Sequence, residues 1–248
     1  MYYLSECLII KDENHYLIEH LTKSFQAGID HVFIYDNESS IPVLEFLKDY
    51  PELFNKCSIE IYKTNGSETC QTDCYEKFTK DHRNDTEWCV FIDTDEMLEG
   101  SLKDLVNKYK DYLSLRIHQI THGANGQAYA DYSKSLTERF QGHIVKFPMV
   151  KMVVQMKYLD EQSPHNSSLN DEAKTKDFKF WMKDVEWNEI CQLHHYFYKS
   201  FEEWIVKIVK RGSVLSSFNW KLNQFFEENT IPLEDKIELL KKYNISLE

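Results

Sequence analysis

Residues 87–98 read EWCVFIDTDEML. Trp88 to Ile92 is a continuous apolar run of strand length with no polar alternation, the signature of a strand covered on both faces, as in a parallel sheet flanked by helices. The run ends in Asp93-Thr94-Asp95-Glu96. In an open parallel sheet, ligands gather beyond the carboxyl ends of the strands. This one segment therefore predicts a doubly wound α/β sheet and also where its chemistry lies.

Upstream, the same alternation of strand and helix recurs. Cys7 to Ile10 is a short apolar strand ending at Lys11-Asp12-Glu13, and Leu17, Ile18, Leu21 and Phe25 then share one helical face before Gly28. His31 to Tyr35 is a second strand, ending at Asp36-Asn37, after which Ser39-Ser40 and Ile41-Pro42 open a helix carrying Val43, Leu44 and Leu47. Ile59 to Tyr62 reads as a third strand and Gln71 to Lys80 as a helix. Downstream, Ser101 to Asp104 resembles a capping box for a helix bearing Leu102, Leu105, Val106 and Tyr109. Repeated β-α units at this spacing predict a mostly parallel sheet.

The second half is less regular. Tyr112 to Ile120 and Ile144 to Phe147 read as strands, Gly123 to Lys134 as a polar loop, and Gln162 to Lys179 as a turn-rich loop or lid. Ser200 and Glu203 form a capping box for an amphipathic helix whose stripe is Phe201, Trp204, Ile205, Ile208, Val209 and Leu215. The expected organisation is one α/β domain over residues 1–218 with a helical extension over 219–248.

Composition narrows the function. The chain has 248 residues, 42% of them hydrophobic and 14% aromatic, enough for a sizeable core. Its formal charge of −12 gives no general attraction to nucleic acid, so no nucleic-acid partner is expected. With 7 glycines and neither a G-x-G-x-x-G nor a G-x-x-x-x-G-K-[ST] pattern, a phosphate must be held by side chains or a metal. The 6 cysteines show no C-x-x-C spacing, which argues against structural zinc and for reduced thiols. No stretch is apolar enough to span a membrane and the amino terminus has no secretory pattern, so a soluble cytoplasmic protein is expected.

Asp93 and Asp95, one residue apart at a strand end, offer hard oxygen ligands for Mn²⁺ or Mg²⁺, which can neutralise a diphosphate. Haloacid dehalogenase-type phosphatases place D-x-D-x-[TV] after the first strand, whereas here the motif follows the fourth strand and Met97 fills the fifth position. Nucleotidyltransferases carry a glycine-rich loop after the first strand, and Lys11 to Asn14 contains no glycine. A sugar transferase leads. A metal-dependent nucleotidyltransferase or phosphatase, and a catalytically inactive glycan-binding module, are the alternatives. Trp181, Trp187 and Trp220 are candidates for stacking on sugar rings, and Arg139 and Lys146 for binding phosphate; His118, His122, His143 and His165 read as structural.

In order, KDE (Lys11 to Glu13), YLIEH (Tyr16 to His20), GIDHVFIYDNESS (Gly28 to Ser40), Gln71 with Tyr75, EWCVFIDTDEML, TERF (Thr137 to Phe140) and HYFYKSFEEWIVKIVKRG (His195 to Gly212) resemble the GT-A glycosyltransferases related to glycosyltransferase families 2 and 92. The resemblance covers about residues 5–212, with Asp12 where the family usually has Asn and Met97 where it usually has Phe. It implies a GT-A, nucleotide-diphospho-sugar transferase fold: a Rossmann-like doubly wound sheet with a helical carboxyl-terminal part. The implied activity is metal-dependent transfer of a hexose from a UDP-sugar to a glycan or glycoconjugate acceptor, and family analogy favours inversion and galactosyl transfer. Asp12, Glu13 and Asp36 would lie near base and ribose, Gln71 and Tyr75 would frame the nucleotide, and Asp93 and Asp95 would hold the metal. His195 would be a third metal ligand or a diphosphate contact, and Lys199 and Arg211 would bind phosphate. Inversion needs a carboxylate base for the acceptor hydroxyl, with Glu138 the first candidate and Asp160 the second.

Overall fold

A computed structural model describes residues 1–63, 70–142, 144–145, 149–187, 189–209 and 218–245, without the side chains of 209 and 218–220. In chain order the first elements are β1 (Tyr2–Ile10), α1 (Asn14–Gln26), β2 (His31–Asp36), α2 (Val43–Leu47), α3 (Pro51–Phe54), β3 (Cys57–Ile61), α4 (Cys70–His82), β4 (Thr86–Phe91), β5 (Glu96–Gly100) and α5 (Leu102–Lys108). They are followed by β6 (Ser114–His122), α6 (Leu136–Arg139), β7 (Ile144–Val145), β8 (Val150–Gln155), β9 (Leu159–Ser163), β10 (Asn166–Leu169), β11 (Lys183–Val185) and β12 (Cys191–His195). Helices α7 (Phe201–Val209), α8 (Phe218–Glu228) and α9 (Leu233–Lys242) close the chain. The chain divides into two compact units, residues 1–119 with 148–194, and residues 120–147 with 195–248.

The first unit is the α/β body. Its sheet runs β3-β2-β1-β4-β8-β6-β12-β5. The pairs β2–β3, β1–β2 and β1–β4 are parallel, as the Rossmann-like repeat requires. β8 then inserts antiparallel to both β4 and β6, which the sequence reading does not anticipate. The period-2 geometry of strands explains the apolar run in β4. Trp88, Val90 and Ile92 face one core with Leu4, Leu8, Val32 and Ile34, while Cys89 and Phe91 face a second core with Cys7, Phe33 and Tyr35. Helix α1 covers the first core through Leu17 and Leu21, and α4 covers the second through Cys74, Tyr75 and Phe78. All six cysteines are free.

Turns fix the joints of this layer. Gly100 ends β5 at φ +91, a left-handed conformation that glycine adopts without strain, and a Cβ there would sit 2.0 Å from the Ile190 carbonyl. Ser101 then caps α5 by accepting the Asp104 amide, the arrangement its spacing predicts. The stretch over 162–179, expected as a loop or lid, contains structure: β9 and β10 pair as a separate antiparallel hairpin and two short 3₁₀ turns follow. Its polar residues hide a strand pattern because a two-stranded hairpin with one open face needs few apolar positions.

The second unit is mainly helical. Ala124, Ala128, Val145, Tyr198, Phe201, Trp204, Ile205, Leu222, Phe225, Leu239 and Leu240 form its core. Ser200 and Glu203 make the reciprocal cap of α7 that their spacing predicts. Residues 123–134 form no helix or strand, as expected. Leu215 and residues 146–147 lie outside the described residues. Among the described residues no helix is long and apolar enough to cross a membrane.

Under α1, Glu6 of β1 is fully buried with its Oε1 2.5 Å from Nε2 of buried His20. Burial opposes protonation of His20, but the Glu6 carboxylate outweighs it and holds the imidazole above its ordinary value of 6.5. His20→Ala should leave a lone buried carboxylate and cost about 3–5 kcal/mol in denaturant unfolding near pH 6. Because the folded value is raised, the stability carried by this proton is complete below pH 6.5 and fades as pH rises through the folded value. Equal stability of wild type and His20→Ala across this range would contradict the assignment.

Candidate functional site

The carboxyl ends of β1, β2 and β4 carry the acids that the sequence singles out, and the structure divides them by role. Asp36 is buried; its two oxygens accept the Ser39 and Val43 amides at 2.9 Å each, so it pins the start of α2. Asp12 stands at φ 53, a left-handed position that Asp tolerates. Its amide donates to Ser39 Oγ at 3.0 Å and its Oδ1 accepts the Ser40 amide at 2.6 Å. With Asn14 Nδ2 donating to the Ile41 carbonyl, these bonds stitch the β1–α1 and β2–α2 loops into one ledge. Glu13 is buried at the start of α1.

At the end of β4 the pattern differs. Asp93 Oδ1 accepts from Gln71 Nε2 of α4 at 2.7 Å, and Asp93 Oδ2 accepts from Lys151 Nζ of β8 at 2.7 Å. Gln71 also donates to the hydroxyl of Tyr75, which is itself fully buried. Gln71 and Tyr75 are therefore brought to Asp93 as one unit on successive turns of α4. Asp95 is buried, 3% exposed, beside Thr94, whose buried hydroxyl has no partner.

Lys151 is the residue that sequence reading misses. Its side chain is wholly buried, and its ammonium lies 2.7 Å from Asp93 and 3.4 Å from Glu96 Oε2. The antiparallel register that sets Trp88 opposite Gln155 and Val90 opposite Val153 brings the start of β8 to the end of β4. A lone lysine within the apolar run MVKMVVQM (Met149 to Met156) was the available signal. Burial alone would drive this amine neutral, but Asp93 and Glu96 raise it, so it stays charged. Glu96 accepts the Asp93 amide and a bond from Gln119. Burial pushes its carboxyl up, Lys151 opposes the shift, and Asp93 and Asp95 add to it.

The donor set suits a hard divalent cation. Mg²⁺ and Mn²⁺ sites commonly use one or two carboxylates, the rest of the shell coming from water and substrate phosphate. Asp93 and Asp95 can hold such an ion. Among the described residues no group of three or more His, Cys, Asp and Glu gathers as an all-protein metal cage.

The remaining candidates lie elsewhere in the fold. Asp160 is exposed on β9. In the second unit, Glu138 is exposed and closes a capping box with Ser135, whose amide and hydroxyl both bond its carboxylate and hold it below its usual range. The S-x-x-E spacing of Ser135 to Glu138 was its sequence signal. Arg139 is buried with its guanidinium forked onto Glu203 and on Gln127, which commits it to the fold rather than to phosphate. His195 is buried at the end of β12 with its ring edge-on to Phe197 at 5.2 Å. Lys199 is buried at φ 56. Arg211, Lys146, His143 and the side chain of Trp220 lie outside the described residues.

No known protein family matches the chain, and no curated protein sequence does so either. Among solved structures, a protein assigned as a glucose-1-phosphate thymidylyltransferase from Bacillus anthracis, in complex with sucrose, superposes at a TM-score of 0.45 with 10% identity, covering 89% of this chain and 99% of that one. HddC from Yersinia pseudotuberculosis superposes at 0.42 with 12% identity over 75% of this chain and 90% of its own. HddC complexed with GMP-PN gives 0.43 with 11% identity, over 79% and 93%.

Lys151→Met should remove the buried ammonium that faces buried Glu96 and part-exposed Asp93. Denaturant unfolding should show a loss of about 3–5 kcal/mol. An unchanged unfolding midpoint would mean that the ammonium does not hold Asp93 and Glu96 together.

Proposed function

We propose that the chain is a metal-dependent transferase acting on a nucleoside-diphosphate sugar, with transfer of a hexose to a glycan or glycoconjugate hydroxyl as its reaction. The observation that carries this reading is Asp93-Thr94-Asp95 at the carboxyl end of buried β4, with both Asp93 oxygens gripped from two sides by Gln71 and Lys151. A fixed carboxylate at a sheet's ligand edge is preorganised, so it spends little free energy on ordering when charge arrives.

Each residue then has a task. Asp93 and Asp95 would hold Mn²⁺ or Mg²⁺, which when bound supplies positive charge to the leaving diphosphate. Gln71 and Lys151 hold the Asp93 carboxylate in place, and Lys151 offsets part of the charge of the acidic cluster. Asp12 and Asp36 shape the nucleoside edge by pinning the two loops, and Glu13 lies beside them. The resemblance adds His195, Lys199 and Arg211 as candidate contacts of the diphosphate. For the base, Asp160 fits the role better than Glu138, whose carboxylate is engaged by Ser135. UDP as the nucleotide, a hexose as the group moved and inversion as the outcome rest on the resemblance.

A second reading is nucleotidyl transfer, the reaction for which the Bacillus anthracis structure is named. The absence of glycine from Lys11 to Asn14 favours the first reading. Calorimetric titration of UDP should show binding that requires Mn²⁺ and is lost in Asp95→Ala, while that variant keeps its unfolding midpoint. Incubation with UDP-sugars should release UDP, and incubation with nucleoside triphosphates and a sugar phosphate should release no pyrophosphate. Pyrophosphate release without UDP release would replace glycosyl by nucleotidyl transfer, and full UDP binding by Asp95→Ala in chelator would overturn both.

A further inference from the structure

Two polar side chains stand inside the first core. Glu6 lies between Leu4 and Leu8 on one face of β1, and His20 lies beside Leu17 and Leu21 on α1, all four leucines belonging to that core. Neither polar side chain has any exposed surface, and Glu6 Oε1 sits 2.5 Å from His20 Nε2. An apolar pair of the same volume would fill this space without desolvating a carboxylate and an imidazole, so stability alone does not account for the two residues. What a polar pair adds is direction, because the carboxylate on Nε2 fixes the rotation of the ring.

The ring has a second neighbour. Helix α1 packs on β5, and His20 faces the backbone of Glu96, the first residue of β5. Glu96 closes the turn that carries the candidate metal ligands. Its amide donates to the Asp93 carbonyl at 2.9 Å, and its carboxylate accepts the Asp93 amide at 2.9 Å. These reciprocal bonds tie the two ends of Asp93-Thr94-Asp95-Glu96 together, so the placement of Glu96 sets the placement of both aspartates. Lys151 of β8, at 3.4 Å, and Gln119 of β6 approach the Glu96 carboxylate. They hold its side chain, whereas His20 meets its backbone.

We propose that Glu6 and His20 are positioning residues for the strand-end site: oriented by Glu6, His20 holds the backbone of Glu96 and through it the turn that presents Asp93 and Asp95. The hold on the turn stands on this geometry alone, and its consequence for ligand binding rests on the transferase reading above.

The test replaces the pair by apolar residues of similar volume, Glu6→Val with His20→Leu, in the full chain. Such a swap of a buried polar pair should keep the unfolding midpoint at or above that of the wild type. Amide exchange followed by NMR should nevertheless be about tenfold faster at Asp93 and Glu96, and Mn²⁺-dependent binding of UDP, followed by calorimetry, about tenfold weaker. Glu6→Gln, which keeps a hydrogen-bonding partner for the ring, should stay close to the wild type in both readouts. Should the double variant fail to fold, His20→Ala is compared with Leu21→Ala, a core deletion on the same helix, and only the former should loosen the two amides. Unchanged exchange at Asp93 and Glu96 in the folded double variant, or equal exchange in the two alanine variants, would overturn the proposal. Faster exchange with unchanged UDP affinity would overturn the positioning role in the site. A wild type that binds no UDP would remove the transferase reading and leave the exchange rates to decide the hold on the turn.

Discussion

A buried ammonium between two carboxylates sets the terms for the rest of this structure. Lys151 has no solvent around it, so its charge exists only because Asp93 and Glu96 surround it. That requirement fixes the register of β8 against β4, since a shift of one residue would turn the amine to the opposite face of the sheet. It also fixes Asp93. With Lys151 on one oxygen and Gln71 on the other, the first carboxylate of the strand-end motif has little rotational freedom before any ligand arrives.

The acids at the same sheet edge divide accordingly. Asp36 and Asp12 use their oxygens on backbone amides and so build the loops. Asp93 and Asp95 lie in the turn that directly follows the strand both cores clamp, where displacement of the strand costs packing on two faces. Buried thiols and aromatic rings on one face, and Trp88 with aliphatic side chains on the other, hold β4 still. A rigid strand carrying paired carboxylates is what a site for a divalent cation and a diphosphate needs.

The parts legible in the sequence are those whose cause is local. The repeat of strand, polar turn and helix through residue 108, the cap at Ser101 and the cap at Ser200 each follow from spacing within a few residues, and all three appear in the structure. Asp93 and Asp95 could be singled out because the strand and its acids are contiguous. Lys151 could not be paired with Asp93 in the same way. The two meet only through antiparallel insertion of β8, a long-range event that leaves no periodic trace beyond one lysine in an apolar run. The β9–β10 hairpin was illegible for a different reason: its strands are polar, so alternation carries little signal. Glu138 carries two signals at once: the S-x-x-E spacing of a helix cap, which the structure shows, and a carboxylate in the TERF stretch, to which the resemblance points for the base.

The central claim is that the end of β4 is where a divalent cation and a nucleoside diphosphate meet. Diffraction at the manganese edge from crystals grown with UDP and Mn²⁺ tests it most directly. The account predicts one anomalous peak within about 2.0–2.3 Å of carboxylate oxygens of Asp93 and Asp95, with diphosphate oxygens completing the shell. A manganese peak elsewhere, or UDP bound away from the ends of β1 and β4, would contradict it.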